Sequence, residues 1–74
     1  MKIYAVVSDE TWEAPSIEQP YYFKHEDAVK KLLKEVEERN IGLNRKDKFI
    51  ASKHDPLCFY GENESLYIQE FEVI

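Results

Sequence analysis

The sequence predicts an α+β fold in which one amphipathic helix packs on one face of an antiparallel sheet of three to four strands. Three observations indicate it: alternating apolar residues near the start of the chain, a helical apolar stripe in the middle and two β-rich runs at the end. Together they give the order β–β–α–β–β. Because 74 residues have room for only one core, we expect a single domain spanning residues 1–74.

The first strand is predicted over residues 2–8, where side chains alternate between two faces. Ile3, Ala5 and Val7 form a fully apolar face, and the opposite face is mixed. With one helix available, only one face of the sheet is covered. We expect the far face to carry side chains alone, among them Tyr4, Val6, one or both of Tyr21 and Tyr22, and residues of the last strand.

Residues 9–20 are predicted to be a loop because they are rich in acids and contain Pro15 and Pro20. The short β-favouring run at residues 21–23 follows as the second strand. Trp12 lies within the predicted loop and has two interpretations. It either folds back as a lid on the core or acts as an aromatic anchor for a partner.

The helix is predicted from about His25 to Asn40, with acids in its first turn, where the helix dipole favours negative charge. Gly42, just beyond the helix, is expected to adopt the left-handed backbone conformation that commonly ends helices. The apolar stripe comprises Ala28, Val29, Leu32, Leu33 and Val36. Pairs with the acid four residues before the base are Glu26/Lys30, Asp27/Lys31 and Glu35/Arg39.

The last third of the chain begins with a polar, basic loop at residues 44–48, followed by a short strand or helical turn at residues 49–51. Two strands, 57–60 and 66–74, are predicted to form a hairpin with residues 61–65 as its loop. The first strand and the last strand are the most apolar, so we expect them to be neighbours in the middle of the sheet.

Charge is unevenly distributed along the chain. Residues 1–23 carry a net charge of −3, residues 24–53 carry +3 and residues 54–74 carry −5. Acidic ends disfavour direct binding to a phosphate backbone, which requires Lys and Arg. They favour either a basic protein partner or simply good solubility.

No catalytic machinery is evident, so we predict no enzyme, cofactor or metal. Two glycines are too few for a phosphate-binding loop, and the chain has no zinc-ligand spacing. His54 precedes Cys58 by four residues, but no third orienting group accompanies them, and a structural cysteine is the favoured interpretation. The single cysteine and the absence of a signal-peptide core or membrane span predict a cytoplasmic protein.

The order of features resembles small bacterial and phage single-domain proteins of unknown function. The resemblance is carried by residues 1–7 (MKIYAVV), a strand ending at Phe23, Glu26-Asp27-Ala28 in the helix and residues 67–73 (YIQEFEV). The loop at 9–20 and the basic stretch at 44–53 depart from the pattern. It implies a small sheet domain without assigned catalytic residues. In size and charge the chain also looks like phage anti-CRISPR proteins, some of which imitate DNA with carboxylates.

The leading hypothesis is a non-enzymatic protein-binding module, a phage-type inhibitor or regulator of a larger and basic, nucleic-acid-handling protein, acting in the host cytoplasm. Acids would steer the encounter and aromatic side chains would provide affinity. The alternative is a cytoplasmic housekeeping domain that forms a homodimer through its uncovered sheet face. The predicted partner-binding residues are Asp9, Glu10, Trp12, Glu13, Tyr21, Tyr22, Glu62, Glu64, Glu70 and Glu72.

Overall fold

The computed structural model describes residues 1–73, apart from the side chain of Gln19. Ile74, placed by the sequence in the last strand, lies outside the described residues. Within them the chain forms β1 (Lys2–Glu10), β2 (Ser16–Tyr22), α1 (His25–Asn40), β3 (Ile50–Ala51), β4 (Cys58–Tyr60) and β5 (Glu64–Glu72).

The strands form one antiparallel sheet in the order β2-β1-β5-β4-β3, and α1 packs across β1 and β5. The predicted α+β class with one helix is therefore confirmed, as is the pairing of the first strand with the last. The predicted count of three to four strands is wrong, because residues 1–73 contain five. The additional strand is β3, whose two residues pair with Tyr60 and Phe59 of β4.

The predicted loop at residues 9–20 is also wrong. β1 continues to Glu10, and β2 begins at Ser16, so the two strands form a hairpin with residues 11–15 as its turn. Pro20 is tolerated within β2 because β2 is an edge strand, in which the positions whose N–H would point to solvent make no ladder bond. Near Pro20 the register with β1 shifts between Tyr4 and Val6.

The helix has the predicted bounds, and Gly42 adopts the predicted left-handed backbone, with φ of 81°. Its buried stripe is narrower than predicted. Ala28, Leu32 and Val36 are buried, whereas Leu33 is 48% exposed. Of the predicted helical ion pairs, the structure contains Glu35–Arg39.

The helix covers the mixed face of β1, contrary to the sequence prediction. Val6 packs with Leu32, Val36, Phe49 and Leu66 in the main core. Polar residues on this face have polar or aromatic partners: the Ser8 hydroxyl binds a carboxylate of β5, and the Tyr4 ring meets His25 edge-on with centroids 5.2 Å apart.

Tyr4 and Val6 are therefore not on the uncovered face. The face opposite α1, called the open face below, carries the fully apolar side of β1. Tyr21 does lie there, with its ring edge-on to Phe71 at 6.2 Å. Tyr22 pairs directly with Tyr4 and shares the helix side. From the strand register, the described open face comprises Ile3, Ala5, Val7, Asp9, Ile17, Tyr21, Ile50, Cys58, Tyr60, Ser65, Tyr67, Gln69 and Phe71.

Candidate protein-binding site

Two chain reversals meet at one end of the sheet and form a surface that we call the tip, residues 9–13 and 61–63. They meet because β1 and β5 are antiparallel neighbours, so the end of β1 lies beside the start of β5. The backbone N–H and the hydroxyl of Thr11 both donate to the Asn63 carbonyl, at 3.0 and 3.1 Å. Hydrogen bonds therefore hold the two chain reversals together, and they do not behave as independent loops.

Trp12 is 85% exposed at the top of the β1–β2 turn. The interpretation of Trp12 as a lid on the core is therefore wrong. Its ring borders a cleft of about 310 Å³, whose apolar lining also includes Leu43 and Phe49. An exposed indole beside an apolar cleft can bury surface when a partner binds, and tryptophan is enriched among residues that dominate binding energy.

Carboxylates surround this cleft. Glu10, Asp47 and Glu62 line it, and none of the three forms an ion pair among residues 1–73. Glu13 is also exposed in the turn, and Asp9 is half-buried on the opposite side, in a second cleft of about 270 Å³. The tip therefore presents carboxylates that form no ion pair among residues 1–73, around an aromatic side chain.

Glu64 was predicted to contact a partner, but its carboxylate is engaged within the fold. It accepts hydrogen bonds from the Ser8 hydroxyl, at 2.5 Å, and from the Arg39 guanidinium. Arg39 also pairs with Glu18, at 3.0 Å, and with Glu35, at 3.5 Å. Glu64 therefore connects the helix to the sheet beneath the tip.

The remaining predicted residues lie at the opposite end of the sheet. Because β1 has nine residues, this end is roughly 25–30 Å from the tip. Glu70 pairs with Lys2 and Glu72 with the N-terminal amine, each at 3.5 Å. Tyr21 and Tyr22 end β2 there on opposite faces of the sheet. Apart from Glu64, the predicted residues thus form two surfaces. Within the described part of the chain, the tip is the one whose carboxylates form no ion pair.

Sequence reasoning missed Leu43, Asp47 and Phe49 as parts of the cleft. The Asn40 side chain positions this segment: its Oδ1 accepts from the Phe49 N–H at 2.7 Å, and its Nδ2 donates to the Phe49 carbonyl at 3.3 Å. No periodicity marks such a contact between a helix end and a loop. The basic side chains of the same loop lie to one side, where Lys46 and Lys48 line a neighbouring cleft with Glu62.

Gly61→Ala is expected to lower the free energy of unfolding by about 1–2 kcal/mol, because a small-to-large change strains a packed site. A Cβ at Gly61 would lie 2.9 Å from a ring carbon of Phe49, and Phe49 is buried in the core. Urea denaturation followed by circular dichroism measures the loss. Unchanged stability would show that the Phe49 ring can move, and would contradict a fixed position of this ring in the cleft beside Trp12.

Cys58 and His54 are not joined by a hydrogen bond in the described part of the chain. His54 is exposed in the loop before β4, whereas Cys58 is half-buried on the open face. The neighbouring Cys58 side chain raises the pKa of the Tyr60 phenol above its ordinary value. Across the described residues, no three His, Cys, Asp or Glu side chains come together as metal ligands would. Nor does their single helix have the length and apolar character needed to cross a membrane.

No family model, curated protein or solved structure matches this chain.

Proposed function

We propose that this protein is a non-enzymatic protein-binding module that inhibits or regulates a larger protein through its tip. The observation that carries the proposal is the 85% exposure of Trp12 at a cleft bordered by carboxylates without ionic partners. A partner that buries this indole would gain a large contact area, and tryptophan is enriched among the residues that dominate binding energy.

The partner surface is basic. Glu10, Glu13 and Glu62 are exposed around Trp12, so a cluster of Lys or Arg on the partner would be attracted over a Debye length of roughly 8–10 Å. Trp12 would then provide the affinity, either by insertion into a pocket or by stacking on a cationic side chain. In a narrower, anti-CRISPR-like version of this function, the carboxylates of the tip occupy the phosphate-binding surface of a nucleic-acid-handling enzyme.

The triple variant Glu10→Lys, Trp12→Ala, Glu62→Lys is expected to weaken partner binding at least 30-fold, since it cancels the net negative charge of the tip and removes its aromatic anchor. The measurement is capture of the partner from host lysate, followed by titration of the purified partner by calorimetry. Glu64 is left intact in this variant because its replacement would break the contacts with Arg39 and Ser8.

The matched control is the triple variant Phe23→Ala, Glu70→Lys, Glu72→Lys. It makes the same change of charge and removes another exposed aromatic ring, since Phe23 is 72% exposed, but it does so away from the tip. Partner binding should survive in this control. Equal loss in both triple variants would mean that net charge alone drives binding, and retention in both would exclude the tip as the site.

A defined probe gives an independent test. Trp12 is the only tryptophan of the chain, so its emission reports on the tip alone. An arginine-rich peptide is expected to change this emission, and an equally long glutamate-rich peptide is not. Raising the salt concentration should weaken the response, because the attraction between exposed charges is screened.

A further inference from the structure

The open face is an apolar surface of the sheet that the helix leaves uncovered. Ala5 and Val7 at its centre are 0% and 2% exposed, although no helix lies over them. The surrounding residues are more accessible: Ile17 is 37% exposed, Tyr21 46% and Tyr60 52%. This face therefore has a shielded centre within a border of partly exposed aliphatic and aromatic side chains.

Charge distinguishes the open face from the rest of the molecule. A third of the chain is Asp, Glu, Lys or Arg, yet Asp9 is the only charged residue among the open-face residues given above. The helix side, in contrast, carries the Arg39 cluster and most of the helical charges. The distribution separates a charged side from an almost neutral one.

A neutral face restricts what can cover it. Single-stranded nucleic acid stacks on aromatic sheet faces, but it also requires cationic side chains along its path. The described strand residues of this face include none, and Lys46 and Lys48 line a cleft only at its Tyr60 edge, together with Asp47 and Glu62. An anionic membrane surface would likewise require Lys or Arg. A second copy of this chain meets neither objection, because two neutral faces can approach while the net charge of −5 on each copy stays on the outer sides.

The dimensions of the sheet are compatible with a dimer. The five strands contain 30 residues in all, so with a rise of about 3.3 Å per residue and about 4.8 Å between strands the face measures roughly 480 Å². Two such faces would bury at most roughly 950 Å² in total, which is the size of a weak, reversible contact. Sheets packed face to face lie about 10 Å apart, which suits side chains of the size of Ile17 and Tyr21.

We propose that two copies of this protein pack open face to open face about a two-fold axis. In such an isologous contact the same residues are buried on both copies. Ile17, Tyr21 and Tyr60 lose their exposure, and Asp9 lies at the end of the face, where it remains hydrated. This surface meets the tip only at Asp9, and the proposal does not rest on the proposed function.

Sedimentation equilibrium from about 1 to 300 μM tests the dimer. The wild type is expected to change from monomer to dimer within this range, which corresponds to the weak affinity of a small interface. Ile17→Lys is expected to raise the dissociation constant at least 30-fold, because it places a charge on the neutral face of both copies. A wild type that stays monomeric throughout the range would overturn the proposal.

Ser16→Lys is the matched control, because it puts the same charge on the neighbouring position of β2 but on the helix side, opposite Ser8. It should dimerise like the wild type. Tyr60→Lys is the second interface variant, should Ile17→Lys fold poorly, since Tyr60 is half exposed on a different strand. Dimerisation that persists in Ile17→Lys and Tyr60→Lys would place the contact elsewhere and contradict the proposal. The tip variants should dimerise normally, so failure of one proposal leaves the other testable.

Discussion

Leu32→Ala is expected to lower the free energy of unfolding by about 3–4 kcal/mol, the largest effect of any substitution considered for this chain. Leu32 is fully buried and packs with Val6, Val36, Phe49 and Leu66 in the core between helix and sheet. A domain of 74 residues has a total stability of roughly 4–11 kcal/mol, so this loss would leave a substantial unfolded fraction. Urea denaturation followed by circular dichroism measures it.

Leu33→Ala is the control. The substitution removes the same atoms one residue further along the same helix, but Leu33 is 48% exposed. We expect a loss below about 1 kcal/mol, since partly solvated atoms leave no cavity. Equal losses for the two variants would contradict the position of the helix on the sheet.

The same pair of residues illustrates what the sequence could predict. The helix was predicted with its correct bounds, because its periodicity, acidic first turn and left-handed Gly42 are all local signals. Leu33 was placed on the buried stripe because periodicity alone does not give the width of the covered face. That width depends on the curvature and side chains of the sheet, which are distant in sequence.

The strands were predicted less well than the helix. The polar segment with Pro15 and Pro20 was predicted to be a loop, yet most of it extends β1 and forms β2. A hairpin at an edge needs little apolar character, because one side of the edge strand faces solvent. The apolar face of β1 was likewise assigned to the helix, whereas the helix packs on Val6 and Ser8. Which face of β1 the helix covers depends on contacts with Leu66, Phe49 and the other strands, which are distant from β1 in sequence.

The candidate site was predicted in part. Asp9, Glu10, Trp12 and Glu62 do lie together, because the hairpin turn and the β4–β5 loop share the Thr11–Asn63 hydrogen bonds. Charge patterning suggested that acidic ends meet a partner, but it could not distinguish a free carboxylate from a paired one. Glu64 and Glu62 are two residues apart, and only Glu62 lacks an ionic partner in the described structure.

Arg39→Met is expected to lower the free energy of unfolding by about 2–3 kcal/mol at pH 7. The guanidinium contacts the carboxylates of Glu18, Glu35 and Glu64 and is only 27% exposed, so it joins β2 and β5 to the helix. Methionine keeps most of the side-chain volume but leaves three carboxylates facing one another without their shared cation. Removing one member of a buried ion pair costs about 3–5 kcal/mol, and partial exposure reduces this figure.

Lys34→Met is the matched control, because it removes one positive charge from the same helix. Its Glu38 partner is 4.0 Å away and both side chains are more than half exposed, so we expect a change below about 0.5 kcal/mol. A similar loss in both variants would assign the effect to net charge rather than to the carboxylates around Arg39.

The pH dependence of the Arg39→Met effect separates electrostatics from packing. The hydrogen bond from Lys31, and secondarily the charge of Arg39, hold the pKa of Glu35 below its ordinary value of 4.5. A carboxylate with a lowered pKa in the folded state stabilises the fold fully above 4.5, and this contribution is lost as the pH falls through the folded-state pKa. The difference in unfolding free energy between the wild type and Arg39→Met should therefore narrow in urea titrations at about pH 3.5. An equal difference at both pH values would mean that Arg39 stabilises the fold by packing its aliphatic stem, and that its charge contributes little.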